Sequence, residues 1–159
     1  MSDPATEVPT PALVEHILAR FHHAHRQELP ELIALSRKVE AVHANDVNAP
    51  HGLARVLEAV SAELEDHMRR EEAVVFPAIM DGLPAPSGNS LDHLRDDHAG
   101  QEAALNRIAA ITHGFRLPPY ACGSWRRLYA GLGKLAEDMD EHRYLENEVL
   151  LPRFETGRR

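Results

Sequence analysis

Cysteine is nearly missing from this chain: Cys122 is the only one in 159 residues. An internal disulfide is therefore excluded, and the usage suits a reducing compartment, so the expected location is the cytoplasm. Aromatic residues make up only 5% of the chain and β-branched runs are few, which leaves a helical protein as the default. No apolar run approaches the ~18 residues that a membrane-spanning helix requires, so no membrane segment is expected. Basic charge is in deficit, with a net charge of -8 and no basic cluster, and this argues against nucleic acid as a partner. The opening stretch MSDPATEVPTP is acidic and proline-rich, unlike a signal peptide, and residues 1–10 read as a disordered lead-in.

Histidine is present in excess, with 11 in a chain long enough for one domain. Two near-copies of one stretch organise their placement: ELEDHMRREEAVVFP (Glu63 to Pro77) and DMDEHRYLENEVLLP (Asp138 to Pro152). Aligned on histidine, His67 falls on His142, Glu71 on Glu146, Val74 on Val149 and Pro77 on Pro152. Each copy is a His-x-x-x-Glu, and on a helix residues four apart share a face. The repeat extends further, because His22 precedes His67 by 45 residues and His98 precedes His142 by 44. The chain thus reads as two helical hairpins related by a pseudo-two-fold axis.

The apolar periodicity predicts four main helices. The first starts near Pro11, with Thr10 as its cap, and is expected to break near Leu29-Pro30, since proline removes a helical hydrogen bond. It resumes to about His43. The second spans about Gly52 to Met80, the third about Leu91 to His113 after Ser90 as cap, and the fourth about Ser124 to Leu150. The fold expected is all-α, an antiparallel four-helix bundle over residues 11–155, with 156–159 as a tail. At ~100° per residue, His67 and Glu71 lie within ~20° of Val60, in the middle of their apolar stripe, and His142 with Glu146 repeat this among Leu135, Met139, Val149 and Leu150. On the third helix His98 shares a face with Leu94, Gln101, Leu105 and Ile108. A single His-x-x-x-Glu is most often a surface or capping pair. Two buried copies are another matter, because an ionised carboxylate in an apolar stripe costs several kcal/mol unless paired or bound to a cation. Imidazole and carboxylate together make a good metal shell.

Several ordered motifs then point one way: FHHAHR (Phe21 to Arg26), ELPELI (Glu28 to Ile33), KVEAVH (Lys38 to His43), HMRREE (His67 to Glu72), PPYACGSW (Pro118 to Trp125) and the Leu145 to Arg153 segment. Taken together they resemble the hemerythrin-like domain of the repair-of-iron-centres proteins, over about residues 11 to 155. The resemblance implies a non-haem di-iron protein of the nitrosative or oxidative stress response, which supports iron–sulfur cluster repair through nitric oxide or oxygen chemistry or iron supply. It implies two iron ions with an oxo or hydroxo bridge, a small diatomic ligand, and iron–sulfur proteins as partners. A reversible oxygen or nitric oxide carrier or sensor is the alternative on the same bundle. Carried over by motif, the ligands are His22, His43, His67, Glu71, His98, His142 and Glu146, with Glu71 and Glu146 bridging and the histidines divided three and two. Helical geometry by itself favours His25, at ~20° from Val14, over His22 at ~80°, and His25 is an alternative that could orient a ligand instead. His43 reaches the site only if the chain folds back near Leu29-Pro30. It would be the ligand that makes the site asymmetric. Glu63 and Asp97 match acidic positions that in the family line a path to the metals, Glu72 reads as solvated, and Cys122 as structural. The family's N-terminal cysteine-pair domain has no counterpart in these residues, so steps that use those thiols are not expected of this chain.

Overall fold

Four long helices carry almost all of the chain in the computed structural model, which describes residues 7–85 and 90–156. Helix α1 runs over residues 10–42, α2 over residues 53–80, α3 is Ser90–Ile111, and α4 runs over residues 123–150, with a short α5, Pro152–Thr156, folded after it. The contacts run α1 to α2, α2 to α3, α3 to α4 and α4 back to α1, which closes an all-α four-helix bundle as the periodicity predicts. None of these helices is long and apolar enough to cross a membrane. Residues 1–6 of the expected lead-in and 157–159 of the expected tail lie outside the described residues.

The buried side chains of α1 recur at helical spacing, from Leu13, Val14, Ile17 and Phe21 to Leu29, Leu32 and Val39. The expected break at Leu29-Pro30 does not occur: His23–Val42 is one α-helix with Pro30 inside it. Pro30 and Arg26 face solvent, so water can satisfy the Arg26 carbonyl that has lost its donor, while Leu29 and Leu32 hold the opposite face in the core. Burying those leucines, at about 1.5–3 kcal/mol each, offsets the ~3 kcal/mol cost of an interior proline. Pro30→Ala is accordingly expected to stabilise the protein by about 1–3 kcal/mol without changing its metal content, as measured by urea denaturation and elemental analysis.

α1 stops at Val42, and the loop that follows is fastened by Glu40. The Gly52 and Ala54 backbone amides donate to its carboxylate at 2.6 and 3.0 Å, capping the start of α2. Gly52 has φ 88, a conformation open to glycine at little cost. Gly131 on α4 allows α1 to approach closely, because a Cβ there would lie 2.6 Å from Leu32 Cδ2. At the far end, Arg153 donates to Thr10 Oγ1 at 2.9 Å and ties the C-terminal helix to the start of the chain.

The buried apolar residues form two clusters. One, around Trp125, Leu57 and Leu132, fills the end of the bundle nearer the α1–α2 connection. The other, around Phe21, Phe76 and Leu150, fills the opposite end. Between them lies a layer of buried His and Glu side chains. Three π-turns flank this layer: Leu18–His22 in α1, Glu71–Val75 in α2 and Leu145–Leu150 in α4. A π-turn advances each residue by less than the ~100° of an α-helix and shifts the register of everything beyond it. For this reason Val75 rather than Val74 is buried after Glu71, and Val74 is half exposed.

Candidate metal centre

Each inward-facing group reaches the layer by a local device. His22 closes the π-turn of α1, Glu71 opens that of α2, and Glu146 lies in that of α4. His67 and His142 stand one α-turn before their glutamates, and His98 projects from the middle of α3. All six are at most 3% exposed. The π-turn of α1 also brings His22, rather than His25, into one of the His/Glu groups. The slower rotation carries His22 from ~80° off the stripe onto the buried face, and both side chains are buried.

The four histidines turn their Nε2 atoms toward the two carboxylates. Glu71 Oε1 lies 3.2 Å from His22 and 3.3 Å from His67. Glu146 Oε1 lies 2.8 Å from His98 and 3.5 Å from His67, and its Oε2 lies 2.7 Å from His142. Two overlapping groups result, His22–His142–Glu71–Glu146 and His67–His98–Glu71–Glu146, with ligating atoms within 4.8 Å of one another in each. Both glutamates belong to both groups.

The outer Nδ1 atoms are also engaged. His22 Nδ1 donates to Glu72 Oε2 at 2.7 Å, His67 Nδ1 to Asp97 Oδ2 at 3.0 Å, and His98 Nδ1 to Asn147 Oδ1 at 2.7 Å. His142 Nδ1 meets His25 Nε2 at 3.2 Å. A ring that donates from Nδ1 presents its Nε2 lone pair inward, the form a metal needs. Arg26 holds Glu72 through two hydrogen bonds, at 2.7 and 3.1 Å, and Arg70 pairs with Asp97 at 3.1 Å.

Electrostatics mark the layer as incomplete for the protein's own charges. Burial and the Glu146 charge push the Glu71 carboxyl well above its usual range. Burial opposes the Glu146 charge too, yet His142, His67 and His98 hold that carboxyl well below its usual range. Burial opposes protonation of His67, but its bonds to Glu146 and Glu71 raise it to about 11. His22 is lowered to about 4 and His25 to about 3, in both cases by burial and then by the neighbouring His142. Without a cation the layer thus favours the charge of one carboxylate and opposes that of the other. Cations in the two groups would let both ionise, and the donor set of four imidazole nitrogens and two shared carboxylates fits them.

Six of the seven residues proposed from sequence are brought together. His43 is not among them. It ends α1, its Nε2 is 3.4 Å from Cys122 Sγ, and its ring packs 4.9 Å from that of Trp125. Because α1 continues through Pro30, the 21 residues from His22 place it ~31 Å away along the helix. In place of the expected three–two division, the histidines of the layer group two and two, His22 with His142 and His67 with His98. His43→Ala is expected to leave metal stoichiometry unchanged, whereas His98→Ala loses about one metal per chain; elemental analysis distinguishes them. Glu63 is exposed on α2, and Asp97 bonds His67 directly. Sequence reasoning missed Glu72 and Asn147 as partners of His22 and His98, although each directly follows the core glutamate of its copy.

The hemerythrin HHE cation-binding domain model matches residues 13–154. The chain belongs to that family. Among its relatives is the "Iron-sulfur cluster repair protein YtfE" of Pectobacterium carotovorum subsp. carotovorum, 39% identical over 151 residues, covering 95% of this chain and 68% of the relative. The protein of the same name from Salmonella paratyphi B is 37% identical over 150 residues, covering 94% and 68%. The hemerythrin-like bundle and the resemblance to the repair-of-iron-centres proteins are thereby shown, and the buried His/Glu layer is the part of this cation-binding domain able to hold metal.

Proposed function

We propose that this protein is a non-haem di-iron protein of the nitrosative and oxidative stress response, supporting repair of iron–sulfur clusters. The carrying observation is the pair of fully buried carboxylates, Glu71 and Glu146, each shared by two histidine pairs. His22 and His142 would hold one iron and His67 and His98 the other, with Glu71, Glu146 and an oxo or hydroxo group between them. Iron bound there would supply one-electron chemistry toward nitric oxide or oxygen, or be passed on to damaged clusters.

The chain's own residues set the conditions for that chemistry. The acceptors on Nδ1 fix the ring orientation of the ligand histidines. The two apolar clusters keep bulk water from either end of the layer. A groove of about 400 Å³, lined by Asp66, Arg70, Val74, Val75, His93 and Leu94, lies beside the Arg70–Asp97–His67 chain, on the side from which a diatomic ligand would approach. The names of the relatives support iron–sulfur proteins as partners, and the near absence of cysteine supports a reducing cytoplasm.

The test is iron analysis with Mössbauer spectroscopy on the purified protein, followed by anaerobic mixing of the reduced form with nitric oxide and with oxygen. Two irons per chain with irreversible turnover support the reading. A stable, reversible oxygen adduct would assign the protein as a carrier instead, and zinc in place of iron would defeat both.

A further inference from the structure

We infer that the two metal positions are inequivalent, and that His25 is a positioning residue for the one held by His22 and His142. The inference rests on the reading of the layer as a two-metal site. It comes from comparing the halves position by position. The repeat pairs His22 with His98, His67 with His142 and Glu71 with Glu146, and at the same offsets pairs Glu72 with Asn147, His25 with Gln101 and Phe21 with Asp97. The inner shell obeys the pseudo-symmetry. The residues behind it do not.

Three of the four ligand rings place Nδ1 against oxygen: Glu72, Asp97 and the Asn147 carbonyl. Such oxygens accept and cannot donate, so each fixes its ring with the proton on Nδ1 and the lone pair on Nε2, ready for a metal. The fourth ring, His142, faces nitrogen: His25 Nε2 at 3.2 Å. An imidazole nitrogen can play either part. If His25 accepts, His142 has a free Nε2 and binds metal. If His25 donates, the His142 proton sits on Nε2, directed at Glu146 Oε2 2.7 Å away, and the ring is no ligand.

His142 cannot escape the choice by turning. Phe21 stacks on it with centroids 5.4 Å apart and planes 8° from parallel, and the His25 ring lies 5.3 Å away on a 28° tilt. All three rings are buried. Where the second half would have the counterpart of this arrangement, Asp97 occupies the Phe21 position and supplies a carboxylate to His67. Filling the His22/His142 position therefore selects the tautomers of two rings, a selection that no ring of the His67/His98 position has to make. The two positions therefore differ, and His25 acts on one of them alone.

The experiment is an anaerobic titration of chelator-treated protein with cobalt(II), read by visible absorption and by competition against a chelator of known affinity. The wild type is expected to take up two equivalents in two steps separated by about tenfold or more, and anomalous density in crystals loaded with one equivalent assigns each step to its position. His25→Ala should weaken the His22/His142 step by about 10–100-fold and leave the other within about twofold. His25→Gln offers an oxygen acceptor and should restore the His22/His142 step. Two indistinguishable steps, or equal weakening of both steps by His25→Ala, would each overturn the inference. Failure of the wild type to bind two equivalents would instead defeat the two-metal reading on which it rests.

Discussion

Glu71→Gln is expected to reduce bound metal from about two per chain to well under one while leaving the metal-free protein as stable as the wild type within about 1 kcal/mol. The two halves of this result have different causes. Glu71 contributes an oxygen to both metal groups, so neutralising it removes a ligand charge from both positions at once. By contrast, the loss of a histidine such as His98 disables only one position. In the metal-free layer, however, burial and the Glu146 charge already push the Glu71 carboxyl well above its usual range. Its charged form is disfavoured there, and glutamine matches its shape. The substitution therefore removes a group whose charge matters chiefly to the metal. Elemental analysis and urea denaturation of chelator-treated protein measure the two halves separately. A metal-free variant several kcal/mol less stable than the wild type would show that Glu71 is ionised and structurally paired, and would reverse this account.

The bundle and the buried His/Glu layer were legible because they are periodic. His67, Glu71, His142 and Glu146 announce themselves twice, in register with apolar neighbours at ideal helical spacing. The readings that failed depend on departures from ideal helices. Pro30 was expected to break α1, because local chemistry says so, yet its exposed position and the buried Leu29 and Leu32 opposite decide otherwise. Once that break is gone, His43 cannot return to the site. Ideal geometry likewise placed His22 off the stripe and Val74 on it, and both errors have one source in the π-turns at Leu18–His22 and Glu71–Val75. No residue type specifies a π-turn, so the signal was absent from local sequence. Glu72 was read as solvated because it lies off the apolar face. Its role comes from across the bundle, where Arg26 and His22 converge on it, and such convergence is a property of the assembled helices rather than of any one of them.

Acid is expected to destabilise the metal-free and the metal-loaded protein over the same range, whereas alkali is expected to separate them. His22 titrates at about 4 in the fold against ~6.5 in an unfolded chain. A depressed histidine means that the unfolded state binds the extra proton first, so this contribution to stability is present above pH ~6.5 and is lost as pH falls toward 4. His22 alone then costs on the order of 3 kcal/mol across that window, and His25, lowered to about 3 by burial, acts in the same direction. Together they approach the whole stability of an ordinary domain, about 5–15 kcal/mol. His67 works in the opposite sense. Raised to about 11 by Glu146 and Glu71 despite burial, it contributes stability that is full below pH ~6.5 and is lost as pH rises through 11. The metal-free protein should therefore be most stable near pH 6.5 and weaken on both sides. Bound metal removes the alkaline limb, because coordination takes the place of the His67 proton and lets both carboxylates ionise together. It cannot remove the acid limb, since protons compete for the same Nε2 lone pairs. Urea denaturation of chelated and loaded protein at pH 4.5, 6.5 and 9 should thus give nearly equal stability at the lowest pH, and a difference of several kcal/mol that is largest at pH 9. Parallel pH profiles for the two forms would mean that the histidine layer does not bind the metal.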